Sequence, residues 1–113
     1  MTNQELIAKA KEVMTKAYAP YSHFQVGAAL LAKDGRVFTG CNVENATYGA
    51  TICAERTALT KAVSEGVREF EKIAIVASSG EYAAPCGICR QVLFEFMPEG
   101  KVVLWSELEG EKE

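Results

Sequence analysis

Three of the four cysteines stand in patterns that suit a metal ion. Cys53 lies two residues before Glu55 at the start of a predicted helix, and residues 85–89 (PCGIC) carry Cys86 and Cys89 at the start of another. Backbone N–H groups and a partial positive charge at a helix N-terminus lower the pKa of a thiol there and favour the metal-binding thiolate. Because such helix starts can converge at one edge of an α/β sheet, these cysteines predict a shared metal site.

Zinc suits this donor set. Three thiolates occupy three positions of a tetrahedral Zn²⁺ at about 2.3 Å and leave the fourth position for water. Zinc lowers the pKa of such a water toward roughly 7, and a neighbouring carboxylate can then carry the proton. Glu55 is suited to that work because it follows Cys53 by two residues. We therefore expect one catalytic Zn²⁺ per chain.

Other interpretations of the cysteines stay open at this point. A Cys-x-x-Cys pair in a cytosolic protein is also typical of redox or structural sites. A structural zinc module would use Cys41 as the fourth ligand, although Cys41 and Cys53 do not have a usual knuckle spacing and Glu55 would have no role. His23, the one histidine of the sequence, lies in a predicted turn and is not expected to be a ligand.

The elements that must position these residues follow from the hydrophobic pattern, which predicts the order αββαβαβ. Thr2 and Glu5 form a capping box before the first helix, and the Asp-Gly pair in residues 33–35 favours a tight hairpin. The predicted later helices and strands are helices 52–65 and 87–97 and strands 24–32, 36–43, 72–77 and 101–105. Residues 107–113 are expected to be an acidic tail. This order predicts an α/β fold with a mixed sheet and helices on both faces.

Length and composition agree with one catalytic domain over residues 1–113. Hydrophobic residues make up 49% and charged residues 24%, and the longest apolar stretches have strand length. A membrane span needs roughly 18 residues, so no membrane partner is expected. The N-terminus lacks the pattern of a signal peptide, which predicts a cytoplasmic location and reduced thiols.

The charge pattern disfavours nucleic acid as a partner. The net charge is −3, and the 12 lysines and arginines are scattered along the chain. Proteins that hold a nucleic-acid backbone usually carry a basic patch, because phosphate neutralisation supplies most of the non-specific affinity. A small-molecule substrate is therefore expected.

Four blocks of the sequence share their order and spacing with one family. They are residues 18–29, 40–46, 53–56 (CAER) and 85–91 (PCGICRQ). Cys-x-Glu followed by Pro-Cys-x-x-Cys is a signature of zinc nucleobase deaminases. The chain resembles the small, three-cysteine cytidine deaminases of the cytidine and deoxycytidylate deaminase family over nearly its whole length. The resemblance implies a three-layer α/β/α fold, here with a shortened C-terminal strand and helix.

The resemblance also implies a role for each site residue. Cys53, Cys86 and Cys89 would bind zinc, and Glu55 would shuttle protons. The other implied roles are ribose binding by Asn42 and Glu44, backbone contact by Val43, packing on the pyrimidine by Phe24, backbone contact to the ring by Ala54, and donation to the thiolates by Arg56. Without the resemblance, the residues themselves favour a solvated strand edge for Asn42 and Glu44 and a core position for Phe24.

The implied reaction is the hydrolytic deamination of cytidine and deoxycytidine to uridine and deoxyuridine, with release of ammonia. An alternative substrate is a cytosine-containing nucleoside antibiotic such as blasticidin S, although the sugar-binding pair of Asn42 and Glu44 favours cytidine. The resemblance further implies a homo-oligomer, by analogy a tetramer.

Overall fold

The computed structural model describes residues 1–47, 51–78, 87–98, 100–106 and 110–112. Its helices and strands follow one another along the chain in the order αββαβαββ. The elements are α1 (Asn3–Met14), β1 (Val26–Ala32), β2 (Val37–Cys41), α2 (Ala54–Ser64), β3 (Phe70–Ala77), α3 (Gly87–Phe96), β4 (Lys101–Ser106) and β5 (Gly110–Lys112).

The strands form one mixed sheet in the order β2-β1-β3-β4-β5. β1 is antiparallel to both β2 and β3, whereas β3 and β4 are parallel. The predicted hairpin between β1 and β2 is confirmed, with Gly27 paired to Cys41 and Leu31 to Val37. The predicted α/β fold with a mixed sheet is therefore confirmed.

Helices cover the sheet on both faces and bury a separate apolar cluster on each. α1 packs Leu6, Ile7 and Ala10 against one face, and the predicted capping box of Thr2 and Glu5 is present at its start. α2 and α3 cover the other face, where Leu59 is fully buried. Alternate residues of β1 contribute to the two clusters, so β1 is buried along its whole length.

Several boundaries differ from the sequence prediction. The expected tail 107–113 contains a short strand, β5, which pairs antiparallel with β4. β3 begins at Phe70 rather than at residue 72, because Phe70 pairs with Ala32 beyond a register shift in β1. β1 begins at Val26 and β2 ends at Cys41. The candidate substrate residues, from 24 and from 42–44, thus lie just outside the strands, where the sheet gives way to loops.

Gly40 lets α2 approach β2 very closely. A Cβ atom there would lie 2.5 Å from the Ala54 carbonyl oxygen and 2.5 Å from the Ala58 nitrogen. Only a residue without a side chain fits such an approach of two backbones. The close contact holds the first turn of α2 directly against the end of β2.

Among the described residues, no helix has the length and apolar character that crossing a membrane requires.

We expect Gly40→Ala to destabilise the protein strongly. The new methyl group would push the first turn of α2 away from β2, and overpacking of this kind costs about 3 kcal/mol of unfolding free energy. Denaturant unfolding measures the change. Thr39→Ala is the matched control, since Thr39 neighbours Gly40 on β2 and is only half-buried. Equal stability of the two variants would contradict the close packing of α2 on β2.

Candidate active site

Three loop segments meet beside the end of β2 through backbone hydrogen bonds. Val43 and Ile52 exchange two bonds, each with an N···O distance of 2.9 Å. On the other side of the same segment, the Tyr18 nitrogen donates to the Asn42 oxygen at 3.0 Å, and the Glu44 nitrogen donates to the Tyr18 oxygen at 2.8 Å. This arrangement joins the chain before β1, the chain after β2 and the approach to α2.

Cys53 follows Ile52 directly and is the N-cap residue of α2. Its backbone is extended, and its carbonyl oxygen accepts hydrogen bonds from the Thr57 nitrogen at 3.0 Å and from the Thr57 hydroxyl at 3.2 Å. The residue is half-buried. The predicted position of Cys53 at a helix start is therefore confirmed.

Glu55 lies in the first turn of α2 and is only 4% exposed. Ala54, the residue between Cys53 and Glu55, is fully buried. Burying a carboxylate costs free energy unless it is paired or hydrogen-bonded, so fully buried glutamates are uncommon unless they have such a partner. The burial of Glu55 separates it from the solvated glutamates that are frequent in the first turn of a helix.

Arg56 connects α2 to the loop that precedes it. One of its guanidinium nitrogens donates to the Thr51 carbonyl oxygen at 2.8 Å. The Thr51 hydroxyl in turn accepts from the Asn45 nitrogen at 3.2 Å, and the Asn45 side chain accepts from the Thr47 nitrogen at 2.9 Å. A positive charge therefore lies within the first turn of the helix that Cys53 caps.

The Asn42 side chain is buried and holds the start of β1. Its Oδ1 accepts from the Val26 nitrogen at 2.9 Å, and its Nδ2 donates to the Phe24 oxygen at 2.8 Å. With an exposed fraction of 8%, Asn42 is not a solvated edge residue. One amide hydrogen and one lone pair are left over from these two bonds, because an amide offers two donors and two acceptor sites.

The Glu44 carboxylate closes the turn that precedes Phe24. Its Oε1 accepts from the Tyr21 nitrogen at 3.0 Å and from the Ser22 nitrogen at 3.1 Å, and its Oε2 accepts from the Ser22 hydroxyl. The Ser22 hydroxyl, helped by these N–H groups and by His23 nearby, holds the pKa of the Glu44 carboxyl below its usual value. Glu44 is therefore an ionised acceptor at neutral pH.

The residues expected to contact substrate through apolar or backbone atoms lie at the surface. Phe24 is 38% exposed and Val43 is 40% exposed, so neither is a core residue. His23, next to Phe24, has a φ of 59°, a left-handed conformation that is uncommon for a residue with a side chain. The structure therefore leaves the Phe24 ring accessible at the end of the sheet.

Of the other two predicted zinc ligands, the structure describes the backbone position of Cys89. Cys89 is the third residue of α3, and Cys86 lies outside the described residues. α2 and α3 cover the same face of the sheet, so the two helices belong to one layer. Cys41 lies on the opposite face of the sheet from α2. It pairs with Gly27, and a Cβ atom at Gly27 would point at Ala10 and Met14 of α1.

The side chains around Cys53 fit zinc. The Cys53 thiol is half-buried at a helix N-cap, and a thiolate is a ligand that Zn²⁺ accepts and that a hard cation such as Mg²⁺ does not. The buried Glu55 carboxylate close by in the chain is available for proton transfer.

Two polar residues at this end of the sheet were not predicted. Ser22 bonds to Glu44 from 22 residues away, and Thr51 accepts from Arg56. The sequence feature that could have pointed to Ser22 is its position in a turn after Pro20, because serine hydroxyls in turns commonly bond to nearby backbone groups. Its bond to Glu44 depends on tertiary contact and has no counterpart in the local sequence.

Comparison with known proteins identifies the family of the chain. Residues 1–105 match the family model described as the cytidine and deoxycytidylate deaminase zinc-binding region. The chain belongs to the cytidine and deoxycytidylate deaminase family. Within this family, it is 50% identical over 113 residues to a cytidine deaminase of Sporosarcina psychrophila, covering 100% of this chain and 83% of that protein.

A solved structure of a cytidine deaminase has a similar fold over nearly the whole of this chain. The crystal structure of cytidine deaminase from Burkholderia pseudomallei superposes with a TM-score of 0.94 at 52% identity, covering 99% of this chain and 91% of that one. A blasticidin-S deaminase of Bacillus cereus is more distant, at 32% identity over 108 residues, or 88% of this chain and 76% of that protein.

The lowered pKa of Glu44 predicts a pH-dependent contribution to stability. Because the folded protein favours the ionised carboxylate, wild type should be more stable than Glu44→Gln at neutral pH. This advantage should hold above the unfolded pKa of about 4.3 and disappear as the pH falls through the lower folded value.

Thermal unfolding of both proteins between pH 7 and pH 3 measures this difference. Glu71→Gln, at an exposed position near the start of β3, is the control for loss of a negative charge. A difference between wild type and Glu44→Gln that stays constant down to pH 3 would contradict the hydrogen-bonded carboxylate.

Proposed function

We propose that this protein is a zinc-dependent hydrolase that deaminates cytidine and deoxycytidine to uridine and deoxyuridine, with release of ammonia. Residues 1–113 act as one catalytic domain. The observation that carries the proposal is the burial of Glu55 two residues after the N-cap cysteine of α2. The relatives named cytidine deaminase, at about half identity over the whole chain, support this substrate.

In this proposal, Cys53, Cys86 and Cys89 hold one Zn²⁺ per chain. The zinc, when bound, acidifies a water molecule and so provides a nucleophile at neutral pH. Glu55 accepts the proton from the attacking water and delivers it to ring nitrogen 3 as C4 is attacked. Glu55 then takes the second proton from the new C4 hydroxyl and delivers it to the amino group, so that the C4–N bond breaks, ammonia leaves and the C4 carbonyl forms. A group that serves first as a base and then as an acid works best with a pKa near the working pH.

Arg56 adjusts the charge around the thiolates. Three thiolates and one Zn²⁺ carry a net charge of about −1, which weakens the ability of the metal to acidify water. A guanidinium in the first turn of α2 offsets part of that charge. The bond from Arg56 to the Thr51 carbonyl supports this role, because it fixes one end of the guanidinium at a residue that precedes Cys53 by two positions.

The substrate contacts come from the loops that surround the end of β2. Asn42 and Glu44 hydrogen-bond the ribose hydroxyls, and the exposed Phe24 ring packs on the pyrimidine. The backbones of Val43 and Ala54 complete the contacts to the nucleoside. The lone pair left on the Glu44 carboxylate supports its role, because three of about four acceptor sites are used within the protein.

The substrate is a free nucleoside rather than a nucleic acid. A carboxylate that accepts from the ribose 3′-hydroxyl loses this bond when the oxygen is esterified, and a 3′-phosphate would approach it with like charge. The depressed pKa of Glu44 supports this selection, since the group is negatively charged at neutral pH. The net charge of −3 also disfavours a polymeric anion.

Two alternatives are weaker. Blasticidin S as the substrate is disfavoured by the lower identity to a blasticidin-S deaminase, and competition kinetics against cytidine would test it. A structural zinc module with Cys41 as the fourth ligand is disfavoured by position. Cys41 pairs with Gly27 on the face that α1 covers, whereas Cys53 caps α2 on the other face.

We further propose that the protein acts in the cytoplasm as a homotetramer. The exposed apolar side chains of Tyr18, Val43, Ile52 and Phe94 support self-association, since large apolar groups at a surface favour contact with another chain.

Glu55→Gln should retain the fold and the zinc but lose deaminase activity by about 10²–10⁴-fold, because an amide can neither accept nor deliver the proton. The decrease in cytidine absorbance measures the rate directly. Thermal unfolding and metal analysis of the same sample separate loss of the proton shuttle from loss of structure.

Glu65→Gln is the control, because Glu65 follows the last turn of α2 and is exposed. It removes a carboxylate from the opposite end of the same helix and should retain wild-type activity. Glu55→Gln with activity within tenfold of wild type would rule out the proposed role of Glu55.

A further inference from the structure

We propose that Ser22 is a positioning residue for nucleoside binding, which sets the Glu44 carboxylate and the Phe24 backbone in one fixed arrangement. The inference rests on the proposed function, in which Glu44 contacts the sugar and Phe24 the base. Ser22 itself contacts neither part of the substrate in this proposal. It acts by fixing the distance between the two groups that do.

The Ser22 hydroxyl uses both of its hydrogen-bonding capacities. It donates to Oε2 of Glu44, and its oxygen accepts from the Phe24 nitrogen at 3.1 Å. A serine hydroxyl has one hydrogen to donate and lone pairs to accept, so one group makes both bonds at once. The carboxylate and the Phe24 peptide are thereby linked through a single oxygen atom.

Phe24 is held from its other side by Asn42. The Phe24 carbonyl oxygen accepts from Asn42 Nδ2 at 2.8 Å, while the Phe24 nitrogen bonds to Ser22. Both peptide groups that flank the Phe24 side chain are thus fixed by neighbouring polar side chains. The ring stays exposed, but the backbone that carries it is constrained.

The turn needs such a constraint because His23 has an unfavourable backbone conformation. A φ of 59° at a residue with a side chain costs on the order of 1 kcal/mol and persists where the surroundings hold it. The His23 nitrogen bonds to the Ala19 oxygen at 3.0 Å, and Ser22 contributes the bonds on either side of His23. Loss of the hydroxyl would let the turn relax and would move Phe24 relative to Glu44.

Steady-state deamination of cytidine by wild type, Ser22→Ala and Ser22→Thr tests the inference. Ser22→Ala should raise KM roughly tenfold and leave kcat within about twofold, since the proton shuttle at Glu55 is untouched. Ser22→Thr retains the hydroxyl at an exposed position and should restore the wild-type KM. In a Glu44→Gln background, Ser22→Ala should raise KM by much less, because the two residues act as one unit.

Ser78→Ala is the matched control. The Ser78 hydroxyl accepts from the Gln25 nitrogen at 3.0 Å, which is the same kind of bond one residue further along the chain, without contact to Glu44. Its KM should stay within about twofold of wild type. Wild type without cytidine deaminase activity would overturn the proposed function together with this inference. An active wild type with equal KM values for Ser22→Ala and Ser78→Ala would overturn the role of Ser22 alone.

Discussion

The close contact between α2 and β2 at Gly40 is the constraint on which the rest of the site depends. A Cβ at this position would lie 2.5 Å from each of two α2 backbone atoms, which is a steric clash. Because nothing separates the two backbones, the first turn of α2 lies beside the end of β2. Cys53 caps that first turn, Glu55 lies in it, and Asn42 follows β2 directly. One proposed zinc ligand, Cys53, and one proposed sugar contact, Asn42, therefore lie at the same end of the sheet.

Polar contacts then fix the loops that the packing brings together. Asn42 is central to these contacts, because its buried amide bonds to backbone groups of the two residues that flank residue 25. Each such bond contributes about 0.5–1.5 kcal/mol, and a buried partner left unsatisfied costs about 1–3 kcal/mol. Substitution of Asn42 would therefore disturb the start of β1 as well as any contact with a sugar. Glu44 and Ser22 are exposed enough to be changed with less risk to the fold.

The sequence was sufficient for the features that local chemistry determines. The capping box of Thr2, the hairpin after β1 and the position of Cys53 at a helix start all follow from residues close together in the chain. The start of β3 at Phe70 was missed because it depends on pairing with Ala32 across a register shift. β5 was missed because its three residues are charged or glycine and give no strand pattern, and its pairing with β4 depends on tertiary structure.

The burial of Asn42 and the bond between Ser22 and Glu44 could not be predicted for a related reason. Both join residues 16 or more positions apart, so the local sequence does not indicate them.

The proposed function depends most directly on three thiolates that hold a zinc ion and leave its fourth position open for chemistry. X-ray absorption at the zinc edge of the purified protein measures this most directly. We expect three sulfur neighbours at about 2.3 Å and one oxygen or nitrogen neighbour at about 2.0 Å, whereas four sulfur neighbours would contradict a catalytic site.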